Sequence, residues 1–377
     1  MKKNVSEPPV RNGQGSLSGK KVFLTGHTGF KGAWLTLWLS KLGAQVTGYS
    51  LDPPSQPSLY GVSNVSELVE KEHREDLVNN EELFRALKAA KPDLVLHLAA
   101  QSVVSTGYDD PYRTLMTNVM GTASLLEAVR RLDKECAVLC ITSDKCYENV
   151  EQVWGYREDD KFGDSDPYGG SKGCAEIVVN FYRSSYFPAD KLAEHGVALA
   201  SARAGNVIGG GDWKRNALLC DAYRCLSSNE PIPLRNPQSF RPWQHVLQCL
   251  SGYLAIADKL LSENRADYCS GWNIGPLPGS ELSVAEVIRR FIDEWGSGEW
   301  VDASTDSQKR EANILRLSID KAIWDLGWKP VWSIDESIRQ TAAWYKNYMG
   351  DEQTARELCY RQISEYTDAM AEAETGV

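Results

Sequence analysis

No stretch of the 377 residues is apolar for long enough to cross a bilayer; the run from Ala33 to Leu39 falls far short of the roughly 20 residues a spanning helix needs. Residues 1–19 are polar, rich in Gly, Ser and Pro, and lack the apolar segment of a secretory signal, so they read as a disordered tail. Positive charge is scarce too. Lys and Arg number 41 against 51 Asp and Glu, a net charge of −10, which argues against a general affinity for nucleic acid or an anionic membrane and leaves room only for a local basic pocket for phosphates. The five histidines, His27, His73, His97, His195 and His245, show no ligand spacing, so no metal is expected. The nine cysteines include no Cys-x-x-Cys pair. Several, among them Cys136, Cys140 and Cys174, fall inside apolar patterns, and they read as reduced core residues of a cytosolic protein, not disulfides or metal ligands. What is present, 42% apolar and 24% charged residues, is enough for a large core and two lobes.

Lys20 to Leu24 (KKVFL) is a short strand. It runs into Thr25-Gly26-His27-Thr28-Gly29-Phe30-Lys31-Gly32 and then an apolar helix from Ala33 to Leu42. Strand, glycine-rich turn and helix are the setting a dinucleotide fingerprint needs. Gly26 permits the tight turn, Gly29 lets backbone approach a pyrophosphate, and Gly32 lets the helix pack on the strand, with the helix N-terminus facing the anion. Ala44 to Ser50 is the second strand. An acid at its end holds the adenosine ribose of NAD, whereas basic residues there favour the 2′-phosphate of NADP. Ser50 stands at that end, Asp52 follows two residues later and no Arg or Lys is nearby, so NAD is expected. Asp76, in Glu75-Asp76-Leu77, is either an adenine contact or a solvated charge. Asp93 to His97 is a buried strand leading into Leu98-Ala99-Ala100-Gln101, whose small residues let the backbone pass close to a cofactor. Asn118 to Leu132 has helical periodicity, and Val138 to Thr142 and Val197 to Arg203 are further strands. The alternation predicts an α/β fold with a doubly wound parallel sheet.

Val138 to Thr142 delivers Ser143, Asp144 and Lys145 to the carboxyl edge of that sheet, where open α/β sheets bind ligands. Tyr168 follows Ser143 by 25 residues and Lys172 lies four further on, on one face of a helix continuing through Tyr182. A hydroxyl, a phenol and an ammonium make a proton-handling set in which the Lys charge lowers the cost of phenolate. The glycine run from Ala204 to Trp213 turns the chain toward a second lobe. Arg235 and Arg241 are candidates for a substrate diphosphate. His245 is the one histidine in a suggestive context, as a substrate contact or a structural hydrogen bond.

TGHTGFKGAWL, HLAAQ, TNVMGT, TSDKCYEN, VWGYRE, DPYGGSKGCAE, ARAGNVIGGGDW, RPWQHV and LSGYL carry a resemblance. From about Lys20 to Trp344 the chain resembles the extended short-chain dehydrogenase/reductase superfamily, and within it the CDP-glucose 4,6-dehydratases. The resemblance implies a Rossmann-type domain over 20–205, with part of 240–275 returning to it. It also implies a smaller C-terminal lobe, mostly 206–377, for the nucleotide sugar, and a homodimer formed through helices of the cofactor lobe. NAD would be held by Gly26, Thr28, Gly29, Phe30, Gly32, Asp52, Asp76, Leu77, Leu98, Ala99, Ala100, Asn118, Tyr168 and Lys172. The nucleotide sugar would meet Gln101, Asn206, Arg235, Arg241 and His245. The implied chemistry is a redox-neutral dehydration, in which Tyr168, with Lys172 and Ser143, removes the C4 hydroxyl proton as hydride leaves C4. Asp144 and Lys145 stand where the dTDP-glucose relatives carry Asp-Glu, the acid for the C6 hydroxyl and the base at C5. Lys145 is then a base or an electrostatic stabiliser of the enolate. Hydride returns to C6 and yields a 4-keto-6-deoxy sugar.

Departures from the family pattern cluster on the substrate side. The usual Arg-Leu-Ile/Val-Pro-Asp segment reads Ala217-Leu218-Leu219-Cys220-Asp221, and the Arg expected after Ala-Ala-Gln-x-Val-Val/Leu is absent, with Ser105 and Thr106 in that region. CDP-glucose, another nucleotide or an altered sugar therefore all stay open. An epimerase or decarboxylase of the same superfamily, or a non-catalytic nucleotide-sugar-binding protein, are the alternatives; loss of water from a substrate separates them from a dehydratase.

Overall fold

In the computed structural model, residues 16–214, 216–304, 314–348 and 352–375 are described. The β-like runs form one seven-stranded sheet of β1 (Lys21–Thr25), β2 (Gln45–Ser50), β3 (Lys71–Arg74), β4 (Leu94–His97), β5 (Cys136–Ile141), β6 (Val197–Ala204) and β7 (Gly271–Ile274). Their order is β7-β6-β5-β4-β1-β2-β3, and every neighbouring pair is parallel. The chain winds from β1 out to β3, then crosses back to β4 on the other side of β1. That reversal is a topological switch point, where a crevice opens at the carboxyl edge.

The strands are apolar on both faces because both faces are covered. β1 sends Val22 and Leu24 into one layer and Phe23 into the other, and β5 divides Ala137, Leu139 and Ile141 from Cys136, Val138 and Cys140. One layer is closed by α2 (Asn80–Ala90), α3 (Gly121–Arg130) and α4 (Pro167–Ser185). The other begins with α1 (Phe30–Lys41), buried almost throughout. The same apolar cluster takes in α5 (Leu218–Ser227), α7 (Val284–Trp295) and α8 (Ile334–Asn347), while α6 (Val246–Leu260) packs on β5 and β6. α9 (Glu352–Thr375) lies along α1, with Trp38 set edge-on to Tyr366 at 5.9 Å.

Three expectations need adjustment. Residues 16–19 are not a disordered tail: Leu17 is fully buried and the Gly19 N–H donates to the Gly43 carbonyl at 2.9 Å, while residues 1–15 lie outside the described part. The helix expected from Asn118 begins earlier. Asp110 caps Pro111–Leu115, a π-helical turn follows over Met116–Met120, and α3 continues from it. Pro231 to Leu234, whose sequence continues the irregular pattern of the glycine run, instead holds a strand, Ile232–Leu234, paired with Trp300–Asp302.

Candidate active site

β1 ends in a turn built for glycine. Gly26 has φ +77°; a Cβ there would lie 2.7 Å from the Ala99 nitrogen, and one on Gly32 would lie 2.1 Å from the Gly26 carbonyl oxygen. The 98–100 loop and α1 therefore seat directly on the turn. Gly29 caps α1 without a side-chain bond, and the first helical turn carries no acid. Its leading N–H groups have no intrahelical partner, and the positive end of the dipole faces an anion. A Cβ on Gly29 would meet nothing closer than the Gly26 carbonyl at 3.4 Å, so the approach stays open. The Thr25 hydroxyl accepts from the Ala99 N–H at 3.2 Å and lies 2.8 Å from His97 Nδ1. His97 Nε2 meets the Thr122 hydroxyl at 3.1 Å, and burial, then the Lys172 charge, drives the imidazole down to about 3, so it stays neutral. This cradle fits the pyrophosphate of a dinucleotide.

Beyond β5 the chain makes a short turn, Asp144–Cys146. The Ser143 hydroxyl donates to Asp144 Oδ1 at 2.9 Å and accepts from the Lys145 N–H at 3.3 Å. Asp144 is 4% exposed, and its Oδ2 is buried with no hydrogen-bond partner. Burial pushes its carboxyl up, with the Lys145 charge, the Ser143 bond and the Lys31 charge opposing. Gly205 is what lets Asp144 sit there, since a Cβ at 205 would come 2.9 Å from Oδ2.

α4 starts on Asp166-Pro167, a capping acid followed by Pro at the first helical position. The Asp166 carboxylate accepts from the N–H groups of Tyr168 and Gly169 at 2.8 and 2.9 Å. α4 is pressed onto the loop after β5: a Cβ on Gly169 or Gly173 would come 2.8 Å from the Lys145 carbonyl or 2.9 Å from that of Cys146. This contact sets the Tyr168 phenol beside Ser143; burial holds the phenol far above the ordinary tyrosine value, with the Ser143 hydroxyl opposing. One turn on, burial and then repulsion from Lys31 push Lys172 down to about 8. Lys145 Nζ lies 3.8 Å from Asp166 Oδ2. Behind the set, the fully buried Glu176 accepts from Thr142, from Ser201 at 2.8 Å and from Arg203 at 2.9 Å, fastening α4 to β5 and β6.

Ser143, Asp144, Lys145, Tyr168 and Lys172 thus come together as the sequence led one to expect. Several others are occupied within the fold. Asn118 bonds the Gln101 backbone in both directions, at 2.8 and 2.9 Å, and the Ser171 hydroxyl at 2.8 Å. It is a clamp between loop and helix. The Gln101 side chain turns to the Thr114 hydroxyl at 2.9 Å and to the Val103 N–H. Asp76 is ion-paired with Arg113 and Leu77 packs on Gly121. Thr28 bonds to Ser50, Phe30 is buried in the first turn of α1, and Asp52 is exposed past the end of β2.

On the other side of the crevice, the Asn206 carbonyl receives the Gln244 N–H at 3.1 Å. Arg235 is exposed and bonded to Asn216 at 3.2 Å, and Arg241 donates to the Phe240 carbonyl at 2.8 Å. His245 as a substrate contact is corrected: it is fully buried, its Nδ1 accepts the Leu247 N–H at 3.3 Å to cap α6, and Trp34 and Trp332 meet its ring edge-on. The view that no basic residue lies near the end of β2 is also corrected, because the β2–β3 register sets Arg74 opposite Ser50. Lys31, Asp166 and Glu176 were missed. Each had a signal: Lys31 lies inside the glycine motif, Asp166 precedes a Pro at a helix start, and Glu176 follows Lys172 by four.

A glycine-turn cradle facing a Ser-Tyr-Lys set across the carboxyl edge of a parallel sheet defines a short-chain dehydrogenase/reductase. Residues 23–192 match the family described as GDP-mannose 4,6 dehydratase. A CDP-glucose 4,6-dehydratase of Salmonella typhimurium is 44% identical over 353 residues, 93% of this chain and 97% of that protein. Among solved structures, a dTDP-glucose 4,6-dehydratase double mutant from Streptomyces venezuelae matches with a TM-score of 0.73 at 20% identity, covering 87% of this chain and 98% of that one. Another, from Bacillus anthracis, gives a TM-score of 0.71 at 18% identity, covering 87% and 97%. The chain belongs to the nucleotide-sugar 4,6-dehydratase family.

Proposed function

We propose that this protein is an NAD-dependent nucleotide-sugar 4,6-dehydratase, a hydro-lyase, with CDP-D-glucose as its leading substrate and a 4-keto-6-deoxy sugar as product. The observation that carries this reading is the Asp144–Lys145 pair lying against Ser143, Tyr168 and Lys172. Bound NAD+ supplies the reversible hydride acceptor. Tyr168 takes the C4 hydroxyl proton, steadied by the Ser143 hydroxyl, and the Lys172 ammonium favours the phenolate. The C4 ketone acidifies C5, and Lys145, 3.8 Å from Asp166, either takes the C5 proton from its neutral form or, as the ammonium, stabilises the enolate. Asp144, whose carboxyl burial keeps protonated to higher pH than usual, gives its proton to the departing C6 hydroxyl. The unpartnered Oδ2 is the oxygen available for that transfer, and return of hydride to C6 and of a proton to C5 then completes the 4-keto-6-deoxy sugar.

The sheet body with its returning 246–274 segment serves the cofactor, and the remainder of 206–348 serves the nucleotide sugar. A second copy of the chain covers the outer face of the α3–α4 layer. Ile177 and Phe181 of α4, one turn apart, and Tyr112, Leu115 and Met120 leading into α3 are all exposed, and these adjacent helices present one apolar surface. Among the described residues no helix is long and apolar enough to cross a membrane, and the nine cysteines are free, which supports a reducing, cytoplasmic setting. The direct test is mass spectrometry after incubation with CDP-, dTDP-, GDP- and UDP-glucose in turn, with and without NAD+. Loss of one water from CDP-glucose alone is expected; turnover with no loss of water from any of the four would refute the dehydratase reading.

A further inference from the structure

The end of β2 carries a second feature. Arg74, the last residue of β3, lies in register with Ser50, the last of β2. Its Nη1 donates to the Leu51 carbonyl at 3.3 Å, and its Nη2 donates to the Tyr60 hydroxyl at 2.6 Å and to Glu72 at 3.1 Å. The guanidinium also lies over the Tyr60 ring, 4.7 Å from its centroid. The glycine turn reaches the same point, for Thr28 Oγ1 is 2.7 Å from Ser50 Oγ and 3.0 Å from the Leu51 carbonyl oxygen. Two hydroxyls and a guanidinium therefore converge where the adenosine ribose of a dinucleotide lies in a βαβ fold. An acid at that place selects the free 2′-hydroxyl, and an Arg accommodates a 2′-phosphate. Here the strand-end residue is Ser50, and the nearest acid along the chain, Asp52, is exposed.

We propose that Arg74, together with Ser50 and Thr28, forms a 2′-phosphate subsite, so that this protein binds NADP+ as well as NAD+. The proposal rests on the dinucleotide reading above and extends it to the ribose. A phosphate makes charge-assisted bonds to a guanidinium and needs only the long Nη1 bond to Leu51 to yield. The Tyr60 ring and hydroxyl hold the guanidinium in place meanwhile. Glu72 sets the balance. Its carboxylate also engages Tyr60 at 2.7 Å and His27 Nε2 at 2.9 Å, so it stays beside Arg74 and offsets part of the positive charge. NADP+ is admitted without being preferred.

The test is equilibrium binding of NAD+ and NADP+ to the full-length protein by calorimetry, with Arg74→Ala and Arg74→Lys beside the unaltered chain. NADP+ is expected to bind within about tenfold of NAD+. Arg74→Ala should weaken NADP+ by about tenfold or more, the usual worth of a charged hydrogen bond, and change NAD+ by less than about threefold; Arg74→Lys should keep an intermediate NADP+ affinity. Retained NAD+ binding in both variants reports an intact fold. NADP+ binding more than about a hundredfold weaker than NAD+, or equal losses of both dinucleotides in Arg74→Ala, would overturn the subsite while leaving the NAD reading standing. Failure of the unaltered protein to bind either dinucleotide would overturn the NAD reading and the subsite with it.

Discussion

Lys172 is the most expensive charge in the site, and replacing it should stabilise the ligand-free protein while disabling it. The residue is 5% exposed, and among the described residues no carboxylate comes within ion-pair distance. Its proton affinity falls from 10.5, the ordinary lysine value, to about 8, chiefly through burial. At about 1.4 kcal/mol for each tenfold change, that is a penalty of about 3 kcal/mol at pH 7. With an unfolding entropy of about 2.1 cal/mol/K per residue, a chain of this length converts 3 kcal/mol into roughly 4 °C of melting temperature. Lys172→Met keeps the aliphatic stem without the charge. It should therefore melt roughly 4 °C above the unaltered protein at pH 7, by scanning fluorimetry without ligand. The sign of the pH dependence follows. Between about pH 8 and 10.5 the unfolded chain holds a proton on this lysine that the folded chain has released, so the unaltered protein gains stability as pH rises through that window. By pH 9.5 the penalty falls to about 1.4 kcal/mol and the variant's advantage to roughly 2 °C. The variant should also lose most of the melting-temperature rise that NAD+ gives the unaltered protein. A variant no more stable at pH 7, or one with the same advantage at both pH values, would refute the reasoning.

Two further outcomes are expected. Tyr168→Phe should abolish C4 oxidation, seen as no reduced-cofactor absorbance on mixing with a substrate, whereas Asp144→Asn should still build up reduced cofactor but release product about 10²–10⁴-fold more slowly, the usual contribution of a general acid. Complete loss of the absorbance change in both would contradict the division of roles. If a second copy covers the α3–α4 face, light scattering should give twice the 41.9 kDa chain mass for the unaltered protein and the single mass for Ile177→Asp/Phe181→Asp; a monomeric unaltered protein would remove the second copy.

Much of the sheet and of the candidate site was legible because local signals and tertiary needs agree. Apolar runs such as VLCIT can only be buried strands, and the glycine turn, Ser143 and the Tyr168–Lys172 spacing each lie within a few residues of the backbone feature that uses them. Helix starts are legible where a cap marks them, as at Val284–Trp295, where Ser283 and Glu286 form a capping box. α1 begins three residues before Ala33 because Phe30, Lys31 and Gly32, part of the turn by sequence, already lie in the helix. What stayed hidden was lateral. Nothing near Ser50 announces Arg74, since strand register alone brings them together. His245 looked functional beside two arginines, yet its neighbours in space are Trp34 and Trp332, remote in the chain.

The uneven legibility of the two sides of the crevice has a physical cause. Each group on the chemistry side is held by buried partners: Glu176 joins Thr142, Ser201 and Arg203 at 0% exposure, Asp166 caps the helix that bears Tyr168, and Gly205 admits Asp144. A change at any of these exposes a buried charge or forces backbone apart, at a cost of about 3–5 kcal/mol for a broken buried pair. The substrate-side positions carry no such constraint. Ser105 and Arg235 are exposed, whereas Ala217 and Cys220 pack against the core. Substitutions at the two exposed positions cost the fold little. The nucleotide that this chain accepts can therefore diverge while its chemistry at C4, C5 and C6 stays fixed, and the substrate panel must vary the base before it varies the sugar.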